Sequence, residues 1–263
     1  MTLLFQSASH ASRGARRYQE DSALASPLAA GTSAGEPDCL IAALADGMGG
    51  HAGGAIASRT VCESFLAAAM QAIGSSSRDQ LLAGLNAANT AVASQVAREP
   101  ALSGMGSTLI GTLFGPEGLE WVSVGDSPLY LYRNGEIALL NEDHSLAPAL
   151  DQMAAEGRLS PDEARNDPRR HLLRSAVVGD ELELVDLSRQ PLELQVGDCV
   201  VLASDGIHTL EADEIARVIG AYLDDGCQAI AEALVRTVEQ VRDPHQDNIT
   251  VLVVKPCELV PTP

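Results

Sequence analysis

The stretch CLIAALADGMGGHAGG, residues 39–54, carries an apolar run, Cys39 to Ala45, straight into Asp46 and then into glycines set around Met48 and His51. The run is strand-sized and far too short to span a membrane. Asp–Gly closes a strand readily, because glycine accepts positive φ and aspartate bonds its own backbone. Taken alone, the stretch is an ordinary loop. What surrounds it changes that reading.

Working outward, strand-like runs recur at 108–114, 119–124, 129–133, 136–140, 199–203 and 249–254, and RNG at 133–135 is a tight hairpin signal. Helical spacing of apolar residues appears at 54–73 (Ile56, Val61, Phe65, Met70) and 78–98 (Leu81, Leu85, Val92, Val96). It returns at 211–222 and 228–242 (Ile230, Leu234, Val238, Val241). The helices come in pairs separated by consecutive strands, and the strict βαβ alternation of a parallel sheet is absent. The expected fold is α+β: two antiparallel sheets packed together and flanked by helix pairs. Residues 26–38, SPLAAGTSAGEPD, read as a flexible connection, and 143–180 as an excursion from the core holding two short helices and the basic DPRR.

The hydrophobic fraction of 46% supports a sizeable core, which must be built from Ala, Leu and Val because aromatics are only 3%. The net charge of −19 argues against nucleic acid and anionic membranes as partners. Basic residues gather in RGARR (13–17) and DPRR (167–170), the second of which reads as ordinary surface charge. Five scattered cysteines without a Cys-x-x-Cys read as small core residues in a reducing compartment. The opening MTLLFQSASH has neither the basic nor the long apolar part of a signal peptide, so a cytoplasmic protein is expected.

Aspartates then fall repeatedly at strand boundaries: Asp46, Asp126 and Asp205 after apolar runs, Asp247 before one, and Asp21 at the start of a weak strand. Any one is a turn residue. If all meet at one edge, their mutual repulsion requires positive charge among them. Hard oxygen donors point to Mg²⁺ or Mn²⁺ rather than zinc. Two such ions would clamp a phosphoryl group and turn a shared water into a nucleophile. Glycine beside Asp46, Asp126 and Asp205 lets backbone approach closely.

With RRYQEDSA, DGMGGHAGG, GSTLIGTLF, VGDSPLYLYRNG, EDHSL, ASDGI and DNITVLVV in this order, the chain resembles the Mg²⁺/Mn²⁺-dependent serine/threonine protein phosphatases of the PPM, or type 2C, family, bacterial single-domain type. The resemblance implies a four-layer αββα sandwich, one phosphatase domain over 1–257 including a flap at 143–180, and a tail at 258–263. It also implies two core ions and a weaker third. Asp46 would bridge the core ions with the Gly47 carbonyl on one of them. Asp205 and Asp247 would bind one ion directly, and Glu20 and Asp21 would hold the other largely through waters. Asp126, with Asp205 and the Ser145 backbone, would hold the third. Arg16 would bind phosphate, with Arg17 as a second candidate, and His51 would protonate the leaving alkoxide. Phosphoserine and phosphothreonine proteins would be hydrolysed by a metal-bridging hydroxide without a phosphoenzyme, in opposition to a serine/threonine kinase, by a monomer.

Three departures from the family pattern stand out: Pro128 in GDSP where relatives carry Arg, Gln19 where they carry Asn, and Gly14 one residue nearer the arginine. None removes a carboxylate. The rival readings are a catalytically inactive phosphoprotein-binding relative, which should lack a core carboxylate, and a cysteine-dependent phosphatase, which needs an arginine six positions after a cysteine. This chain keeps its carboxylates and has no such pair. A calcium protein of the EF-hand type would need an acidic twelve-residue loop that is missing.

Overall fold

The structure is a computed structural model that describes residues 3–28, 38–49 and 53–258. One sheet runs in the order β1 (Leu3–Ser12), β12 (Ile249–Glu258), β11 (Cys199–Ala203), β8 (Leu129–Arg133), β9 (Glu136–Leu139). The other runs β10 (Asp186–Leu187), β7 (Gly118–Val124), β6 (Leu109–Gly115), β3 (Leu40–Ala45), β2 (Ser22–Pro27). A short ribbon pairs β4 (Gly47–Met48) with β5 (Gly106–Ser107). Every ladder is antiparallel. Helices α1 (Gly53–Gln71) and α2 (Ser77–Arg98) cover the β3 sheet, and α5 (Ala212–Ala221) and α6 (Cys227–Val241) cover the β12 sheet. Two short helices, α3 (Ala147–Ala155) and α4 (Pro161–Arg165), lie between β9 and β10 in the chain.

The opening run owes its unbroken apolarity to this layering. Side chains alternate along a strand. In β3, Leu40, Ala42 and Leu44 face the opposing sheet, where they join Phe5, Ile110, Phe114, Leu131, Val200, Leu202 and Leu252. Ile41, Ala43 and Ala45 face α1 and α2. Both faces are buried, so no polar alternation survives. With few aromatics, small side chains let the layers approach, and Phe65 of α1 acts as the wedge. A Cβ on Gly111 of β6 would lie 2.1 Å from its ring Cζ, and one on Gly84 of α2 would lie 2.6 Å from Cδ2.

The expected helices and strands are all present, and the RNG hairpin is a tight turn with φ of 54° at Asn134 and 88° at Gly135. Two residues assigned to apolar helix faces are not in the core: Met70 is 36% and Val241 52% exposed, because each sits in the last turn of its helix, at the limit of the packed layer. The connection expected at 26–38 starts later, since Ser26 and Pro27 complete β2. Proline is tolerated there because β2 is an edge strand. The remainder of that connection, and most of the tail at 258–263, lie outside the described residues; Glu258 ends β12. β1 was not anticipated: only Phe5 along it is fully buried, and its alternating Ser and Ala residues carry little strand signal. Among the described residues no helix is long and apolar enough to cross a membrane.

The Phe65 wedge gives a test of the packing. Gly111→Ala should lower unfolding free energy by about 1–3 kcal/mol through overpacking, measured by denaturant titration. An unchanged midpoint would mean that the ring has room to move.

Candidate metal and phosphate site

The chain turns out of its strands at one end of the two sheets, and a network of hydrogen bonds fixes each turn. Asp46 follows β3. Its backbone N–H donates to Thr108 Oγ1 (2.9 Å), and its carbonyl accepts from the Thr108 N–H (2.9 Å) and Ser107 Oγ (2.8 Å). Thr108 Oγ1 also meets Ser127 Oγ at 2.7 Å, tying Asp46 to the turn that carries Asp126. Asp205 opens a 3₁₀ turn directly after β11 and Ser204. Ser204 Oγ donates to Asp21 Oδ2 (2.8 Å) and accepts the Thr250 N–H (2.9 Å).

Asn248 straps down the Arg16 loop. Its Oδ1 accepts the Glu20 N–H at 2.8 Å, and its Nδ2 donates to the carbonyls of Arg13 and Tyr18 at 2.9 Å each. Gly14 turns the loop with a φ of 55°, and a Cβ there would fall 2.3 Å from the Asp247 carbonyl. Glycine at 47 serves the same end: a Cβ would lie 2.1 Å from the Gly54 carbonyl and 2.5 Å from the Glu20 carbonyl. The glycines of the opening stretch therefore let three backbone segments close on one another.

Between these turns lies a cavity of about 510 Å³, lined by Arg16, Glu20, Asp46, Gly47, Thr108, Asp126, Asp205, Asp247 and Asn248, with Met48, Gly49, His171, Leu172 and Leu173 completing the wall. Asp21 stands next to this group, bonded to Ser204 and felt electrostatically by Asp46. Burial pushes the Asp46 carboxyl well above the usual range, and Asp21, Asp205, Asp126 and Asp247 push it further. Burial, then Asp205 and Asp143, raises Asp126 to about 7. Burial raises Asp21 to about 6, against the pull of its hydroxyl partners, and raises Asp205 as well. Buried Oε1 of Glu20 and Oδ1 of Asp21 and Asp205 have no hydrogen-bond partner.

Orphaned carboxylate oxygens in a crowd of like charges fit a divalent cation, and an all-oxygen donor set fits Mg²⁺ or Mn²⁺. The ligand shell itself is not drawn closed. Among the described residues no three acidic, His or Cys side chains are arranged to enclose an ion. Repulsion between carboxylates favours such an open arrangement, and the Arg16 guanidinium lies against Asp247.

The other expected residues fall as follows. Arg16 lines the cavity, whereas Arg17 is exposed and does not. Gly47 lies on the cavity wall. Ser145 is buried one step back: its N–H donates to Asp143 Oδ1 (2.7 Å) and it bridges Leu173. His51 lies outside the described residues. The arginines of the basic DPRR are both paired, Arg169 with Asp167 and Arg170 with Asp151 of α3. The departures are accommodated: Pro128 stands just before β8 and its carbonyl accepts from Ala203, while Gln19 Nε2 donates to Thr250 Oγ1. Asn248, Thr108 and Asp143 received no role from the sequence. The signal for Asn248 was its place next to Asp247; Thr108 and Asp143 act over distances no local pattern reports.

An acidic cavity with an arginine on its wall thus lies at one end of the two packed antiparallel sheets. Residues 8–249 match the family model described as protein phosphatase 2C, and the chain belongs to that family. It is 35% identical over 255 residues to the serine/threonine protein phosphatase PstP of Mycobacterium tuberculosis, a match that covers 96% of this chain but 45% of that relative's own length. The crystal structure of the Mycobacterium tuberculosis phosphatase PstP/Ppp superposes with a TM-score of 0.77 at 33% identity, covering 96% of this chain and 99% of that one. The catalytic domain of PstP in complex with two manganese ions does so with a TM-score of 0.76 at 32% identity, covering 98% and 100%.

Carboxylates held above their ordinary pKa make the metal-free protein pH-sensitive. The folded state binds these protons more tightly than the unfolded chain. The associated stability is therefore fully present below the unfolded carboxylate pKa and is lost as pH rises through the raised values, about 6 for Asp21 and about 7 for Asp126. In EDTA the melting temperature should fall between about pH 5 and pH 8. Asp126→Asn should recover on the order of 1–2 kcal/mol at the upper end. A metal-free melting temperature that rises steadily over this interval would contradict the assigned shifts.

Proposed function

We propose that this chain is a divalent-metal-dependent phosphatase that hydrolyses phosphoserine and phosphothreonine monoesters in proteins. One observation carries the reading: Glu20, Asp46, Asp126, Asp205 and Asp247, from distant parts of the chain, share one cavity with Arg16. Membership of the protein phosphatase 2C family supports it, as does the similarity to a catalytic domain crystallised with manganese.

Asp46 with the Gly47 carbonyl, Glu20, Asp21, Asp205 and Asp247 would hold two cations. Asp126, with Asp205 and the Ser145 backbone, would hold a third. When bound, such ions supply charge that acidifies water and offsets the phosphoryl oxygens. The protein's own contribution is positioning. Thr108 and Ser107 grip both polar backbone groups of Asp46, so its carboxylate cannot swing with the loop. Asn248 holds the 13–20 segment and thereby sets where Arg16 emerges. The Arg16 fork suits two phosphate oxygens; an arriving phosphate exchanges with Asp247 for it. Met48, Leu172 and Leu173 form apolar parts of the cavity wall. His51 is assigned the proton delivered to the leaving alkoxide. The segment 143–180 acts as a flap, and 1–257 as one domain. The expected setting is the cytoplasm, as a monomer, with phosphorylated proteins and a serine/threonine kinase as partners.

Hydrolysis of p-nitrophenyl phosphate and of a phosphothreonine peptide with Mn²⁺, and its loss in EDTA, tests the reading. Asp46→Ala and Asp205→Ala should each lower kcat by more than about a hundredfold, beyond the loss typical of residues that merely support a metal ligand. Arg16→Ala should chiefly raise KM, by about tenfold or more, as expected for a lost charge-assisted contact. Intact protein that is inert with Mn²⁺ would contradict the proposal, and an unchanged KM would transfer phosphate binding to Arg17 or another group.

A further inference from the structure

His144 begins the excursion after β9 and is almost wholly buried, 3% exposed, yet nothing in the proposed reaction uses it. It holds Gly125 twice. Its backbone N–H donates to the Gly125 carbonyl at 3.1 Å, and its ring Nδ1 accepts the Gly125 N–H at 3.3 Å. Gly125 is the residue before Asp126. Its φ is 105°, and a Cβ there would lie 2.6 Å from Thr108 Cγ2, so only glycine fits, and the peptide groups on both sides of Gly125 are held by His144.

On its other side His144 joins the returning limb of the excursion. Its carbonyl accepts the Arg174 N–H at 2.8 Å, Leu146 N–H donates to the Leu172 carbonyl at 3.0 Å, and Ser145 bridges Leu173. Leu172 and Leu173 line the acidic cavity. A single buried residue thus links the apolar wall of the cavity to the turn that presents Asp126.

We propose that His144 is a positioning residue: through its Nδ1 acceptor it locks the Asp126 turn to the base of the excursion, and cation binding at Asp126 depends on that lock. The inference rests on the reading of Asp126 as a cation ligand. Groups that orient a metal ligand typically change affinity 10- to 100-fold when lost. A side chain that only filled space would be replaceable by leucine.

His144→Leu keeps bulk and removes the acceptor. His144→Asn keeps an acceptor, because its Oδ1 stands the same number of bonds from Cα as Nδ1. In calorimetric titration of the full chain with Mn²⁺, the weakest resolved binding step should weaken about tenfold or more in His144→Leu and stay within about threefold of wild type in His144→Asn. Equal weakening in both variants, or an unweakened leucine variant, would overturn the proposal. Should the leucine variant not fold, amide hydrogen exchange of the metal-free wild type decides: the Gly125 amide should exchange about a hundredfold or more slowly than an unstructured peptide, and exchange at the unstructured rate would overturn it. Neither readout needs turnover. A chain that binds Mn²⁺ as expected here but hydrolyses nothing would contradict the proposed function while supporting the role of His144.

Discussion

The organising constraint of this protein is the confinement of like charge. Asp46, Asp126, Asp205 and Asp247 share one cavity, and Asp21 stands beside them, where burial and mutual repulsion hold several carboxyls above their ordinary pKa. Left to themselves such groups would move apart or neutralise. What keeps them together is a set of hydrogen bonds from neutral side chains: those to both polar backbone groups of Asp46, the Ser204 link between Asp21 and Thr250, and the Asn248 strap across the Arg16 loop. The charged ends are expensive to bury, and the neutral network beneath them supplies the rigidity that a cation site requires.

That rigidity depends in turn on the sandwich. Strands buried on both faces converge at one end, and the aspartates occupy the first or second positions beyond the strands. With few aromatics, close approach relies on alanine and glycine; Phe65 against Gly84 and Gly111 is the clearest instance. The same economy appears at the site, where Gly14, Gly47 and Gly54 admit carbonyls and the Glu20 carboxylate within distances that any side chain would block.

Much of this was legible in the sequence. Apolar runs ended by Asp–Gly marked the strands and the carboxylates together, because a strand buried on both faces has no polar residue until it leaves the core. The RNG hairpin and the paired amphipathic helices were equally plain. Other features were hidden for physical reasons. Asn248 acts on Glu20 across 228 residues of chain, a separation no local pattern can report. Arg16 lines the cavity and Arg17 does not, a difference between adjacent side chains that no local pattern reports. β1 was missed because an edge strand with one fully buried residue carries almost no hydrophobic period. The ion pair between Arg16 and Asp247 sets two residues expected to hold different groups against each other, a consequence of geometry alone.

The most direct test of the central claim is anomalous diffraction from a crystal grown in Mn²⁺. Scattering peaks among Asp46, Asp205, Asp247 and the Glu20–Asp21 segment, with Arg16 released from Asp247, are the predicted result. A folded protein whose carboxylates keep the same open arrangement, with manganese absent from the cavity, would contradict it.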